Sequence, residues 1–428
     1  MMKETLIEQL NANTTEQRIE AIRELKKLLD CGELAAPKRD IYTNNHVHTT
    51  YSFSPYSPAK AVWMAYMSGL ATVGIIDHDA INGAHEFIQA GEILGIPTTI
   101  GFEIRTDWSN TKLSGKRINN PDQLSSGYIC AHGLPHTQIA NADAYLAGIR
   151  TAREKRSRAM TANVNKIMQP YDISIDYDAD VLPLSCAADG GEVTERHMLF
   201  ALVHKLISKL GKGKNLISFL SDSLGLQLSG SQQKLLADTQ CDIYDYDLLN
   251  VLKSGFVSRI YIDATTDESP DVREVVKAIK SWGAIPSYCY LGDVAASPTG
   301  DKKAQMFEDA YLEDVFEVCK SIGFDAIAYM PSRNTAEQLA RVMALCDQYG
   351  FMQISGEDIN QPRQSFICKQ LSQPRYKHLI DTTWALVGHE KAATKDLSSG
   401  MFAEGEKLRP QQMQERIDKY SKIGLNGS

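Results

Sequence analysis

Ile41-Tyr42-Thr43-Asn44-Asn45-His46-Val47-His48 reads as a short strand that ends in two histidines one residue apart. On a strand, alternate side chains share a face, so both imidazoles point the same way. The same texture recurs downstream. Short apolar or β-branched runs at 71–76, 97–104, 128–131, 259–263, 284–289, 325–329 and 351–355 alternate with helical patterns at 58–69, 81–94, 271–281, 304–322 and 335–349. Strands alternating with helices predict a parallel sheet of βα units, and seven or eight such units predict a barrel.

The chemistry-bearing residues sit at the ends of these runs. After His46 and His48 come Asp77-His78-Asp79, Gly101-Phe102-Glu103, Cys130-Ala131-His132 and Gly356-Glu357-Asp358. In a parallel barrel all carboxyl ends meet on one face, where active sites form. Mixed imidazole and carboxylate donors suit Mn, Fe or Zn, and Glu103 can bridge two ions. The expected donors are His46, His48, Asp77, His78, Glu103, His132 and Asp358. His136 competes with His132 but follows Pro135 and reads as a loop residue. His85, His378 and His389 fit helical patterns and read as packing. One buried histidine is usually a hydrogen-bonded core residue, but burying six or seven polar groups without an ion would be costly.

The ordered set His46-x-His48, Asp77-His78-Asp79, Gly101-Phe102-Glu103 and Gly356-Glu357-Asp358 resembles the PHP (polymerase and histidinol phosphatase) family over about residues 41–370. The resemblance implies a distorted seven-stranded β/α barrel, up to three divalent ions and phosphoesterase activity. It extends into 150–167 and Thr194-Glu195-Arg196-His197, which are similar to the insertion of the small phosphoesterase subgroup. The departures are specific. Phe53 stands where the family has Asp, Tyr290 and Asn360 stand where it has His, and Ala328 stands at a common Glu position. The resemblance implies one ion on His46, His48, Glu103 and Asp358, and all four are present. A second ion would use Glu103 and His132. A third, on His78, lacks partners. One or two ions are therefore expected, with Asp77 and Asp79 best read as groups that orient a ligand imidazole.

The wider chain divides into a helical extension at 1–38, the barrel at 39–370 with a helical insertion at 137–255, and a helical tail at 371–428. The extension reads as two helices broken at Asn13-Thr14-Thr15, which can cap the second. Insertion helices are expected near 142–168, 196–210, 216–224 and 231–237, and tail helices near 376–386 and 410–423. The cluster Arg150-x-x-Arg153-x-Lys155-Arg156-x-Arg158 has two readings, a solvated helix face or a phosphate-recruiting wall above the metals.

The 428 residues carry 45 Lys and Arg against 53 Asp and Glu, a net charge of −8. That balance disfavours nucleic acid and anionic membrane as main partners. Eight scattered cysteines, no apolar leader and no long apolar span predict reduced thiols and a cytoplasmic protein. The function expected is hydrolysis of a small phosphorylated substrate by a metal-activated water. Glu103, Asp358 and His78 would be catalytic, and Arg196, His197, Tyr290 and Asn360 would contact substrate. The competing expectation is a non-catalytic relative that keeps one metal for ligand sensing or partner binding.

Overall fold

The structure, a computed structural model, describes residues 2–294, 306–407 and 412–426. Seven strands form one sheet in sequential order: β1 (Thr43–Val47), β2 (Thr72–His78), β3 (Thr98–Asp107), β4 (Ser126–His132), β5 (Ile285–Cys289), β6 (Ala326–Tyr329) and β7 (Met352–Ser355). A parallel bridge between Val47 and Ile359, just beyond β7, closes the sheet into a distorted (β/α)7 barrel. Helices α3 (Pro58–Met67) and α4 (Ala84–Leu94) are the first outer helices, and Val62, Phe87 and Leu94 bury their inner faces against the strands.

Two expectations are corrected here. The run at 259–263 is not a strand. Val257–Ile260 is a helical turn whose Val257 and Ile260 are buried in the insertion. A strand needs a free edge to pair with, and both edges of β4 are already taken by β3 and β5. The sheet is also not wholly parallel, because β4 runs antiparallel to both neighbours. Gly101 permits the tight β3–β4 approach, since a Cβ there would lie 2.0 Å from the Ala131 carbonyl oxygen.

The N-terminal helices α1 (Met2–Gln9) and α2 (Thr15–Asp30) form a hairpin, with Thr14 accepting from the Gln17 amide at the start of α2. Leu10, Ile19, Ile22 and Leu25 join the barrel's own hydrophobic core, and Arg18 forms a buried ion pair with Glu86 of α4 at 2.5 Å. At the other end of the chain, Lys377–Lys395 is a long helix lying across the amino-terminal end of the barrel. Thr383 bonds with Thr43 and Asn45 of β1, and Glu390 accepts from the Ile100 amide. The tail helix Met413–Leu425 crosses it where Gly388 and Gly424 meet. The expected starts at 304 and 410 lie outside the described residues.

The insertion leaves the barrel after β4. Its long helix α5 (Ile139–Met168) and α6 (Glu195–Leu210) build a second core of Val164, Leu199, Leu202, Leu248 and Phe256. Phe53, from the loop after β1, is buried in that core rather than in the barrel's.

Candidate metal centre

The register of the sheet assembles the centre. His78 on β2 pairs with Glu103 on β3, and Glu103 pairs with Cys130 on β4, so three donor side chains stand side by side. A register irregularity in β1 between Asn44 and Val47 falls at His46 and locally re-aims the strand there. Asn44 accepts the amides of His46 and Glu357 and so ties β1 to the turn carrying Asp358.

Among the described residues, three overlapping groups bring donor atoms within 4.8 Å of one another: His46, His48 and Asp358; His48, His78 and Glu103; His46, Glu103 and Cys130. Oε2 of Glu103 is the common point. It lies 3.1 Å from Nδ1 of His78, 3.8 Å from Nε2 of His46 and 4.0 Å from Nε2 of His48. Nε2 of His48 is 3.2 Å from Oδ1 of Asp358. Nδ1 of His78 is buried and makes no hydrogen bond despite its closeness to Glu103. Electron-pair donors that face each other without a hydrogen bond fit a shared cation.

Electrostatics follow from the crowding. Burial opposes charge on His46, yet Glu103 and Asp358 outweigh it and raise its pKa. Burial and the neighbouring His48 push His78 well below its ordinary value. Burial also resists ionisation of Asp358, but His48 and His46 hold its carboxyl well below the usual carboxylate range.

Asp77 is outside the donor groups. It accepts from the Thr49 amide, the Thr49 hydroxyl and the Ser52 hydroxyl, each at 2.6 Å, and Ser52 Oγ sits 3.3 Å from Nδ1 of His48. It therefore orients His48 through Ser52. Asp79, at φ 48°, pairs with Arg153 at 3.0 Å. His132 also falls outside the groups. Because β4 is antiparallel, its carboxyl end points to the barrel floor, and His132 lies one inward-facing step below Cys130. Burial and the nearby His46 lower its pKa to about 3. His136 lies at the floor as well, 2.9 Å from Glu390.

The expected substrate contacts divide. Nη1 of Arg196 donates to Oδ1 of Asn360 at 2.7 Å, and Arg196, Asn360, His48, His78 and Arg153 line one small cavity of about 20 Å³. Tyr290 lines an adjoining cavity of about 80 Å³ with His46, Glu103 and His132, but its hydroxyl donates to Asp309 at 2.6 Å. His197 is spent elsewhere. Its Nδ1 accepts the Thr194 amide at 3.0 Å in a capping box for α6, and its ring packs on Phe53 at 5.0 Å. A cavity of about 1100 Å³ lies between α4 and the C-terminal helices and is lined by none of the metal-donor residues.

The arginine cluster on α5 is not a solvated face. Arg153 and Arg156 are buried, and with Arg105 they converge on Glu268 at 3.2, 2.5 and 3.1 Å. Only Arg158 and Lys155 of that run are exposed. Cys130, Cys289, Tyr128 and Glu268 escaped the sequence reading. The one available signal was alternation. Cys130 and His132 share a strand face, and strand direction alone decides which of them is level with Glu103.

No family model matches the chain. A 63-residue segment, 15% of the chain, is 38% identical to a 5'-3' exoribonuclease of Haemophilus influenzae and spans 23% of that protein. Two solved structures share the fold. A presumed metal-dependent phosphoesterase from Bifidobacterium adolescentis aligns with a TM-score of 0.53 at 20% identity, over 81% of this chain and 96% of its own. An amidohydrolase from Chromobacterium violaceum, solved with bound sulfate and no metal, aligns at 0.52 and 16%, over 76% and 90%. The likeness establishes the barrel fold. No helix among the described residues is long and apolar enough to cross a membrane.

Proposed function

We propose that the chain is a metal-dependent hydrolase of phosphate esters of the PHP type. The observation that carries this reading is the convergence of His46, His48, His78, Glu103 and Asp358 within bonding reach of common points, beneath an arginine from the insertion. A bound divalent ion supplies Lewis acidity toward a phosphoryl oxygen and lowers the pKa of water. The chain's residues do the rest. Glu103 holds the centre together, and Asp358 and His48 fix one another. Arg196 faces the cavity with donors for an anionic ester, its orientation set by Asn360. Phe53 and α6 keep bulk water from that wall.

The test is turnover of a panel of phosphate monoesters by protein reloaded with Mn, Fe or Zn, with His46→Ala and His48→Ala as controls. A fully loaded protein that hydrolyses none of them would establish the non-catalytic reading instead. A second reading takes RNA as the ester. The segment shared with the exoribonuclease favours it, whereas the net charge of −8 opposes it. Inclusion of a 5'-phosphorylated RNA oligonucleotide in the panel separates the two.

A further inference from the structure

The inward face of β4 and β5 carries two thiols that the reading above does not use. Sγ of Cys130 lies 3.2 Å from Sγ of Cys289, and the Cys130 sulfur is within 4.8 Å of donor atoms of both His46 and Glu103. Cys130 is fully buried, and its register partner across the sheet is Glu103 itself. A structural cysteine packs among apolar side chains. This one faces an imidazole, a carboxylate and a second thiol. A further observation points to a ligand here. His132, 2% exposed, has an Nε2 with no hydrogen-bond partner and lines the same cavity of about 80 Å³ as His46, Glu103 and Cys289.

We propose that Cys130 is a thiolate ligand in a mixed nitrogen, oxygen and sulfur metal site with His46 and Glu103. Cys289 donates its S–H to the Cys130 sulfur, and His132 closes the site from below. The proposal rests on the metal centre argued above and deepens it. On binding, the Cys130 S–H bond breaks, a sulfur–metal bond forms and the proton leaves to solvent. Glu103, which is also grouped with His48 and His78, would be shared with an ion held by those two residues. A thiolate donor selects zinc over manganese, which prefers oxygen. The centre is thus biased toward zinc at one position and indifferent at the other.

The full chain, stripped of metal and reloaded with cobalt(II) as a spectroscopic substitute for zinc, tests this, with bound cobalt counted by elemental analysis. Wild type is expected to show a near-ultraviolet sulfur-to-cobalt charge-transfer band. Cys130→Ser should lose the band while keeping cobalt on the remaining donors, and its zinc affinity should fall about tenfold or more. Cys289→Ala should keep the band. Wild type that binds cobalt without the band overturns the thiolate site and leaves the hydrolase reading standing, whereas wild type that binds no cobalt overturns both. A Cys130–Cys289 disulfide found by thiol counting in protein purified under reducing conditions also overturns it. Should Cys130→Ser not fold, zinc-edge X-ray absorption of wild type decides. A sulfur neighbour at about 2.3 Å supports the site, and a shell of nitrogen and oxygen alone rejects it.

Discussion

Nδ2 of Asn360 donates to Oδ1 of Asp358 at 2.6 Å, and the oxygen of the same amide accepts from Arg196. One neutral side chain therefore aligns both the metal-facing carboxylate and the cation of the insertion. An imidazole at 360 would offer its nitrogens in a different geometry. Asn360 is thus a positioning residue.

That arrangement predicts a ranking. Asn360→Ala frees Asp358 and Arg196 and is expected to lower turnover about 10–100-fold, as loss of an orienting partner does. Glu103→Gln removes the common donor and should cost more than Asn360→His. Steady-state kinetics at saturating metal check the order, and equal losses would show that Glu103 is not the hub.

Metal content is the next expectation. One or two ions per chain should copurify or reload, fewer than three, because Phe53 offers no donor and Asn360 already bonds Asp358 and Arg196. The double variant His46→Ala/His48→Ala should bind none while its circular dichroism stays native. Three well-occupied ions in a crystal structure would refute this.

Phe53 ties the insertion to the barrel through edge contacts with His197 at 5.0 Å and Phe200 at 5.6 Å. Phe53→Ala leaves a cavity in that core and should cost about 3–5 kcal/mol. Chemical denaturation should report the loss, and proteolysis should nick the insertion before the barrel.

Glu268 forms ion pairs with three buried guanidinium groups. Glu268→Gln keeps the shape and strands the positive charge, so about 3–5 kcal/mol of stability should go. A loss near zero by urea denaturation would mean that Asp79 and Glu192 suffice.

Acid sensitivity follows from His197. Burial first, and then the neighbouring Arg196, hold its pKa at about 3 against an ordinary 6.5. Between those values the unfolded chain binds a proton that the folded chain refuses, so stability falls as pH drops below about 6.5 and this contribution levels off near 3. At pH 4.5 the cost is about 2–3 kcal/mol from this residue. His197→Gln keeps a capping-box residue at that position and should flatten the slope measured by denaturation at pH 7 and pH 4.5. An unchanged slope would assign the effect to His132 or His389.

The residues at 41–48, 71–79, 97–104 and 351–358 determined by themselves that a barrel would form and that His46, His48, His78, Glu103 and Asp358 would meet. His46, His48, His78 and Asp358 lie at or just past the carboxyl ends of parallel strands, Glu103 is level with His78 in register, and parallel strands connected by helices must align their ends. Sequence could not decide the direction of β4. Alternation is the same read either way along a strand, so it placed Cys130 and His132 on one face without saying which stood beside Glu103. Pairing to both neighbours in antiparallel register decided that, and sent His132 toward the floor. Nor could sequence assign the arginines of α5. A charge run looks solvated until carboxylates distant in the chain, Asp79 and Glu268, are folded against it, because ion pairing depends on separation in space and not along the backbone.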